Sequence, residues 1–117
     1  MRKMINAIHL TPGLAWTCLL VAGLFEIGWA LGLRYSDGFT RFWPSLFTLA
    51  SMAASMILLG LSLKILPLGT AYAVWTGIGA IGTALFGIIL FAEPATAMRL
   101  VSIVLIVSGI IGLKLFS

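Results

Sequence analysis

The sequence predicts an all-α membrane protein with four spanning helices, and three observations carry that prediction. Of 117 residues, 62% are hydrophobic and only 9% are charged, more apolar surface than a soluble domain of this size can hide. The apolar residues fall into four continuous stretches, at 14–33, 43–63, 70–92 and 98–116. Each runs to about 20 residues, so each helix reaches roughly 30 Å, the thickness of the hydrocarbon core. None alternates in the way the strands of a membrane barrel do.

Residues 1–13 read as a short N-terminal extension, with His9 solvated outside the bilayer. The opening "MRK" before an apolar run has the look of a signal peptide. Glu26 falls inside that supposed signal and no small-residue cleavage site follows, so the reading is rejected. The connecting pieces "RYSDGFTRFW", "KILPLG" and "AEPATAM" are too short to hold a soluble domain. In the last of them Glu93 and Pro94 make a turn at a helix end, with Glu93 solvated near Arg99. Cys18 is the only cysteine; it has no intrachain partner and reads as a small apolar packing residue.

Seven Lys and Arg stand against three acids, a balance that can suggest nucleic acid. The basic residues sit singly near helix ends, which argues against that partner. Helices that alternate in direction put Arg2, Lys3, Lys64 and Lys114 on one side and Arg34, Arg41 and Arg99 on the other. Four against three is almost no orientation signal, and such a chain can insert both ways. Two opposite copies can then pair into an antiparallel, dual-topology homodimer, an inverted repeat made from one sequence; the alternative is that a helper or an early folding event fixes one orientation. Four short helices also leave little room for a pathway inside one chain, which points to an oligomer.

The first stretch contains "GLFEIGWALG", and in it Glu26 is the only acid within a spanning core. An intramembrane carboxylate is costly, starting near ~3 kcal/mol, and marks function by default. No basic residue lies within any spanning core to neutralise it, since Lys64 and Lys114 are near helix ends and can snorkel. Its counter-charge is then a proton or an outside cation. The bland alternative is a protonated carboxyl that bonds across helices.

Gly23, Glu26 and Trp29 are spaced by three and share one face; Tyr72 and Trp75 in "TAYAVW" share another. Aromatic rings with polar tips can donate to a carboxylate and attract a cation to their faces. Plain packing is the competing role for these three aromatics. Trp16, Tyr35 and Trp43 lie near helix ends and read as interface residues. Ser55 is mid-helix, where a hydroxyl more often bonds its own preceding turn than a ligand. Gly79, Thr83 and Gly87 make a small face suited to close helix contact, and Gly77–Ile78–Gly79 is a point where the helix can bend. Ser108 and Gly112 make a second small face, a candidate dimer seam, with packing inside one subunit as the equal alternative. No nucleotide loop, metal cluster or nucleophile–base pair is present, so neither an enzyme nor a cofactor is expected.

Together "AGLFEIGWA", "RYSDGFTRFWPS", "LPLGTAYAVWTGIGAIG" and "AEPATAMRL" resemble the small multidrug resistance family, four-helix exporters that work as antiparallel dimers. The resemblance runs from about residue 14 to 117. Within the family, "FEIGWA" and "LPLGTAYAVWTG" resemble the guanidinium-exporter subtype; the drug-exporting subtype usually lacks a tryptophan at the place of Trp29. The resemblance implies proton-coupled export of guanidinium across the bacterial cytoplasmic (inner) membrane. It implies that Glu26 is the carboxylate shared by proton and substrate. Trp29, Ser55, Tyr72 and Trp75 match the subtype's binding-site residues, and Gly23 matches a small position facing the site.

The chemistry of the residues agrees with it. Guanidinium is a planar fork of donors that fits a carboxylate bidentately. Ser55 and the Trp29 indole N–H are expected to orient that carboxylate, and tryptophan faces to sandwich the cation. Small monosubstituted guanidines fit if their tail points into a helix gap. Two rivals stand beside this reading: a broad exporter of quaternary ammonium compounds, and a membrane scaffold subunit that transports nothing. Pairing with an oppositely oriented paralogue is the rival to self-pairing.

Overall fold

The computed structural model describes residues 11–116; the first ten residues, with Arg2, Lys3 and His9, and Ser117 lie outside that range. Four helices follow one another: α1 (Pro12–Tyr35), α2 (Phe42–Ser62), α3 (Leu68–Phe91) and α4 (Ala97–Leu115). All four are long and apolar enough to cross a bilayer.

The helix ends differ slightly from the apolar runs, because caps rather than hydropathy set them. Thr11 accepts a hydrogen bond from the Leu14 N–H at 3.1 Å, and Pro12 fills the first turn, so α1 begins inside the expected extension. Thr96 caps α4 in the same way, accepting from the Arg99 N–H at 3.2 Å. At the far end of α3, Ala92 takes the left-handed conformation (φ 53°), and the Glu93 N–H reaches back to the Gly87 carbonyl at 3.2 Å. Between α1 and α2, Asp37, Gly38 and Phe39 all have φ between 49° and 69°. Buried Ser36 holds this turn: its hydroxyl donates to the Leu33 carbonyl at 2.7 Å and accepts from the Phe39 N–H at 3.1 Å.

α1 is the hub. It packs along α2 and along α3, whereas α2 and α3 barely touch and α4 packs on α3. Small residues let the backbones approach. A Cβ added at Gly32 of α1 would lie 2.6 Å from the Thr48 hydroxyl of α2. α3 is helical straight through Gly77–Gly79, and there its glycines admit neighbours: a Cβ at Gly77 would lie 2.9 Å from Ile110 of α4.

The distribution of polarity suits a lipid solvent. Thr48, Ser51, Ser55 and Ser62 line the buried side of α2, while Trp43, Ile89 and Leu115 are 74%, 72% and 73% exposed. With no hydrophobic force between helices in lipid, close contact and hydroxyl hydrogen bonds hold them together. The apolar core is small, built from Ala15, Leu19, Ala22, Leu59, Leu66, Ala71, Val74 and Trp75. Only Ile103 of α4 is buried. The Ser108 hydroxyl turns back to the Val104 carbonyl at 2.8 Å, and nothing lies within 4 Å of a Cβ built at Gly109 or Gly112. The small face of α4 thus takes no part in packing among the described residues.

Candidate functional site

α1 meets α3 at Gly23, which lies against Ile78, and at Glu26, which lies against Gly79, while Ser55 of α2 and Trp75 of α3 join at Ala22, one turn before Glu26. Gly23 is buried because Ile78 fills the space a side chain would need: a Cβ there would lie 2.6 Å from Ile78 Cγ2. Glu26 is half-buried and lies against Gly79, where an added Cβ would come 2.5 Å from Oε2 and 2.6 Å from Cδ. Gly79 is therefore the seat of the carboxylate. The spacing of small residues in α3 marks it as a contact position, but nothing in the sequence says that the contact is Glu26.

Two polar atoms at this level have no hydrogen-bond partner among the described residues. They are Glu26 Oε2, an acceptor, and Trp29 Nε1, a donor, and both are buried. An unpaired buried polar atom costs about 1–3 kcal/mol, so such a pair calls for a partner from outside the chain fold. Among the described residues no ion pair is seen at Glu26, whereas Arg99 pairs with Glu93.

Ser55 departs from expectation. Its hydroxyl does not bond its own preceding turn, nor Glu26. It donates across to the Ala22 carbonyl of α1 at 2.7 Å and accepts from the Trp75 indole N–H at 2.8 Å. One buried serine thus ties α1, α2 and α3 together and fixes the Trp75 ring, which is 7% exposed. The Trp29 indole N–H does not orient the carboxylate either. Tyr72 packs against Trp75, with centroids 5.6 Å apart at 52°, and remains 53% exposed. The structure joins Ser55 and Trp75 at Ala22, one helical turn from Glu26 and Gly79, and leaves Tyr72 half-exposed against Trp75.

The aromatic residues expected at helix ends are found there. Trp16 lies beneath the Lys114 ammonium at 4.8 Å, and Tyr35 packs on Phe91 at 5.4 Å. Glu93 is not merely solvated: Arg99 Nη2 donates to its Oε1 at 2.7 Å. No cluster of three or more metal-ligating side chains occurs among the described residues.

Chemically, a half-buried acid with an unmatched acceptor can receive hydrogen bonds from a small cation. The similarities to known proteins lie in the same direction. Residues 14–106 match the model of the family described as Small Multidrug Resistance protein. The chain is 59% identical to a protein named guanidinium exporter from Yersinia pseudotuberculosis, over 104 residues that cover 89% of this chain and all of the relative. It is likewise 59% identical to a guanidinium exporter of Proteus vulgaris, with the same coverage. A guanidinium exporter of Citrobacter freundii is 56% identical over 102 residues, 87% of this chain and 97% of the relative. The fold, the buried acid and these matches agree: the chain is a multi-pass membrane protein of the small multidrug resistance family.

Proposed function

We propose that the protein is a proton-coupled antiporter that exports guanidinium and small monosubstituted guanidinyl cations by alternating access. It acts as an antiparallel, dual-topology homodimer in the bacterial cytoplasmic (inner) membrane, and it is a transporter rather than an enzyme. The observation that carries the reading is the buried Glu26 Oε2, which has no hydrogen-bond partner among the described residues. A carboxylate with no resident cation must take its counter-charge from a ligand. Guanidinium supplies two parallel N–H donors to such a group, and a proton supplies the alternative. The names of relatives 56–59% identical support guanidinium as the cation.

Each residue has a part in this mechanism. Glu26 holds either a proton or the substrate. Gly79 leaves the space in which the carboxylate lies, and Gly23 lets α3 come close enough to form it. Ser55 holds Trp75 by its indole N–H, so that the ring presents a fixed face to a flat cation. Trp29 offers its N–H to the loaded or protonated acid, and Tyr72 borders the cavity from its exposed position. Two chains in opposite orientations share the cavity, and the uncovered face of α4 is the surface they have left for one another. Protons entering from outside displace guanidinium; loss of the proton inside restores the site. Inverted copies make the inward and outward states the same structure with roles exchanged, so gradients alone set the direction.

The test is guanidinium-driven proton movement in liposomes that contain only this chain. Added guanidinium is expected to drive protons the other way and to slow protonation of the purified protein in proportion to its concentration. Protonation that ignores added guanidinium contradicts the assignment.

A further inference from the structure

The groove between α1 and α3 does not stop at Glu26. Glu26, Ala30 and Arg34 follow at intervals of four on α1, and Gly79, Thr83, Gly87 and Phe91 do so on α3. The two stripes face each other, since Gly79 meets Glu26 and Ala30, Arg34, Thr83, Gly87, Phe91 and Glu93 line one cleft of about 100 Å³. That is room for about three waters. The Thr83 hydroxyl makes no hydrogen bond among the described residues, whereas that of Thr76, two turns earlier on the same helix, returns to the Tyr72 carbonyl at 2.8 Å. The cleft is thus a small wettable space that begins one helical turn beyond Glu26 and Gly79 and runs to the end of the bundle.

At that end stand a carboxylate and an aromatic face, the two elements that bind a guanidinium ion, and the chain's own guanidinium heads occupy both. The Arg34 guanidinium lies over the Phe91 ring at 4.5 Å. Arg99 holds Glu93 at 2.7 Å. Two arginines and one glutamate leave a positive charge at the mouth, and Asp37 and Arg41 in the adjacent linker cancel. Glu93 is kept in place by Gly87, since an added Cβ there would collide with its carboxylate.

We propose that Arg34, seated on Phe91 beside the Glu93–Arg99 pair, closes the α1/α3 groove against cations and so keeps guanidinium and protons from leaking past Glu26. The inference rests on the cation-exchange reading above. Its physical basis is that a fixed positive charge bars protons and cations from a narrow wet path. It also removes the stepping site that a free guanidinium needs, because that site is filled by a tethered guanidinium. Arg34 is a specificity-determining residue and does not itself bind the transported ion.

The test compares wild type, Arg34→Gln and Arg34→Lys in liposomes. Three quantities are read: guanidinium affinity of the solubilised protein, protons released per guanidinium taken up, and guanidinium flux driven by membrane potential at equal pH. Arg34→Gln is expected to keep its affinity within about twofold and to release fewer protons per guanidinium. Its potential-driven flux is expected to rise on the order of tenfold, the effect of removing one charge from the mouth of the path. Arg34→Lys restores the wild-type values. Phe91→Leu, which removes the seat and keeps an apolar side chain, is expected to leak in the same sense and carries the test if Arg34→Gln does not fold. Unchanged proton release in Arg34→Gln, or an equal loss of affinity and coupling, overturns the closure. A wild-type protein that moves no protons against guanidinium overturns the exchange reading and the closure with it.

Discussion

The two glutamates of the molecule are in opposite situations. Glu93 lies at the bundle end, with Arg99 bonded to one oxygen and Arg34 lining the same cleft. Glu26 lies mid-helix, against glycine, with one oxygen unmatched and no basic side chain paired to it. The first has a permanent counter-charge and is structural. The second has none among the described residues. An acid works as an exchange site when the fold denies it a resident cation, and as a fastener when the fold supplies one.

The largest break in that contrast is expected from Glu26→Gln. It keeps the shape and removes the charge, so the charge-assisted bonds to guanidinium weaken by about 3 kcal/mol, on the order of a hundredfold. Coupled uptake in liposomes should vanish while the protein still elutes as a folded species. Retained proton-driven uptake sinks the role given to Glu26.

Gly79→Ala comes next, because it alters the seat and not the acid. A Cβ 2.5 Å from Oε2 forces the carboxylate to move. Overpacking of this sort costs about 1–3 kcal/mol, so guanidinium affinity should fall roughly tenfold, read by calorimetry. An unchanged affinity would show that the carboxylate is not held there during binding.

Ser55→Ala sharpens the comparison from the side of the wall. It leaves the buried Trp75 N–H and the Ala22 carbonyl without their shared partner, at a cost of about 1–3 kcal/mol. Thermal stability in detergent should drop and guanidinium affinity should fall with it. Ser55→Thr, which keeps the hydroxyl, should recover part of both.

The smallest effect is expected at the other acid. The Glu93–Arg99 pair is about a third exposed on each side, and pairs so placed contribute less than about 1 kcal/mol. Glu93→Gln should shift the melting temperature slightly, less so at high salt, and leave coupled uptake in place. A loss as large as that of Glu26→Gln would erase the distinction between the two carboxylates.

Much of this was open to reading in the sequence. Runs long enough to cross a bilayer announce helices, because lipid leaves the backbone no other partner. A single acid among apolar residues announces itself for the same reason, and spacing by three puts Trp29 on its face. The partners of Ser55 could not be read. Whether a hydroxyl turns back to its own helix or reaches Ala22 depends on how α2 is rotated against α1, and no local pattern sets that angle. The seat at Gly79 was half legible: the small-residue spacing shows that something packs there, not what. Glu93 was placed near Arg99, but the second arginine in its cleft comes from α1, sixty residues away in the chain, and only folding brings Arg34 over Phe91.

Sequence alone determined what must lie in oil and which residue pays for being there, since transfer free energies act residue by residue. The tertiary structure decided which polar atoms find one another: Ser55 with Ala22 and Trp75, Arg99 with Glu93, and Glu26 with none among the described residues. Hydrogen bonds hold over about 3 Å and only along set directions, so they are settled by how the helices meet and not by their order.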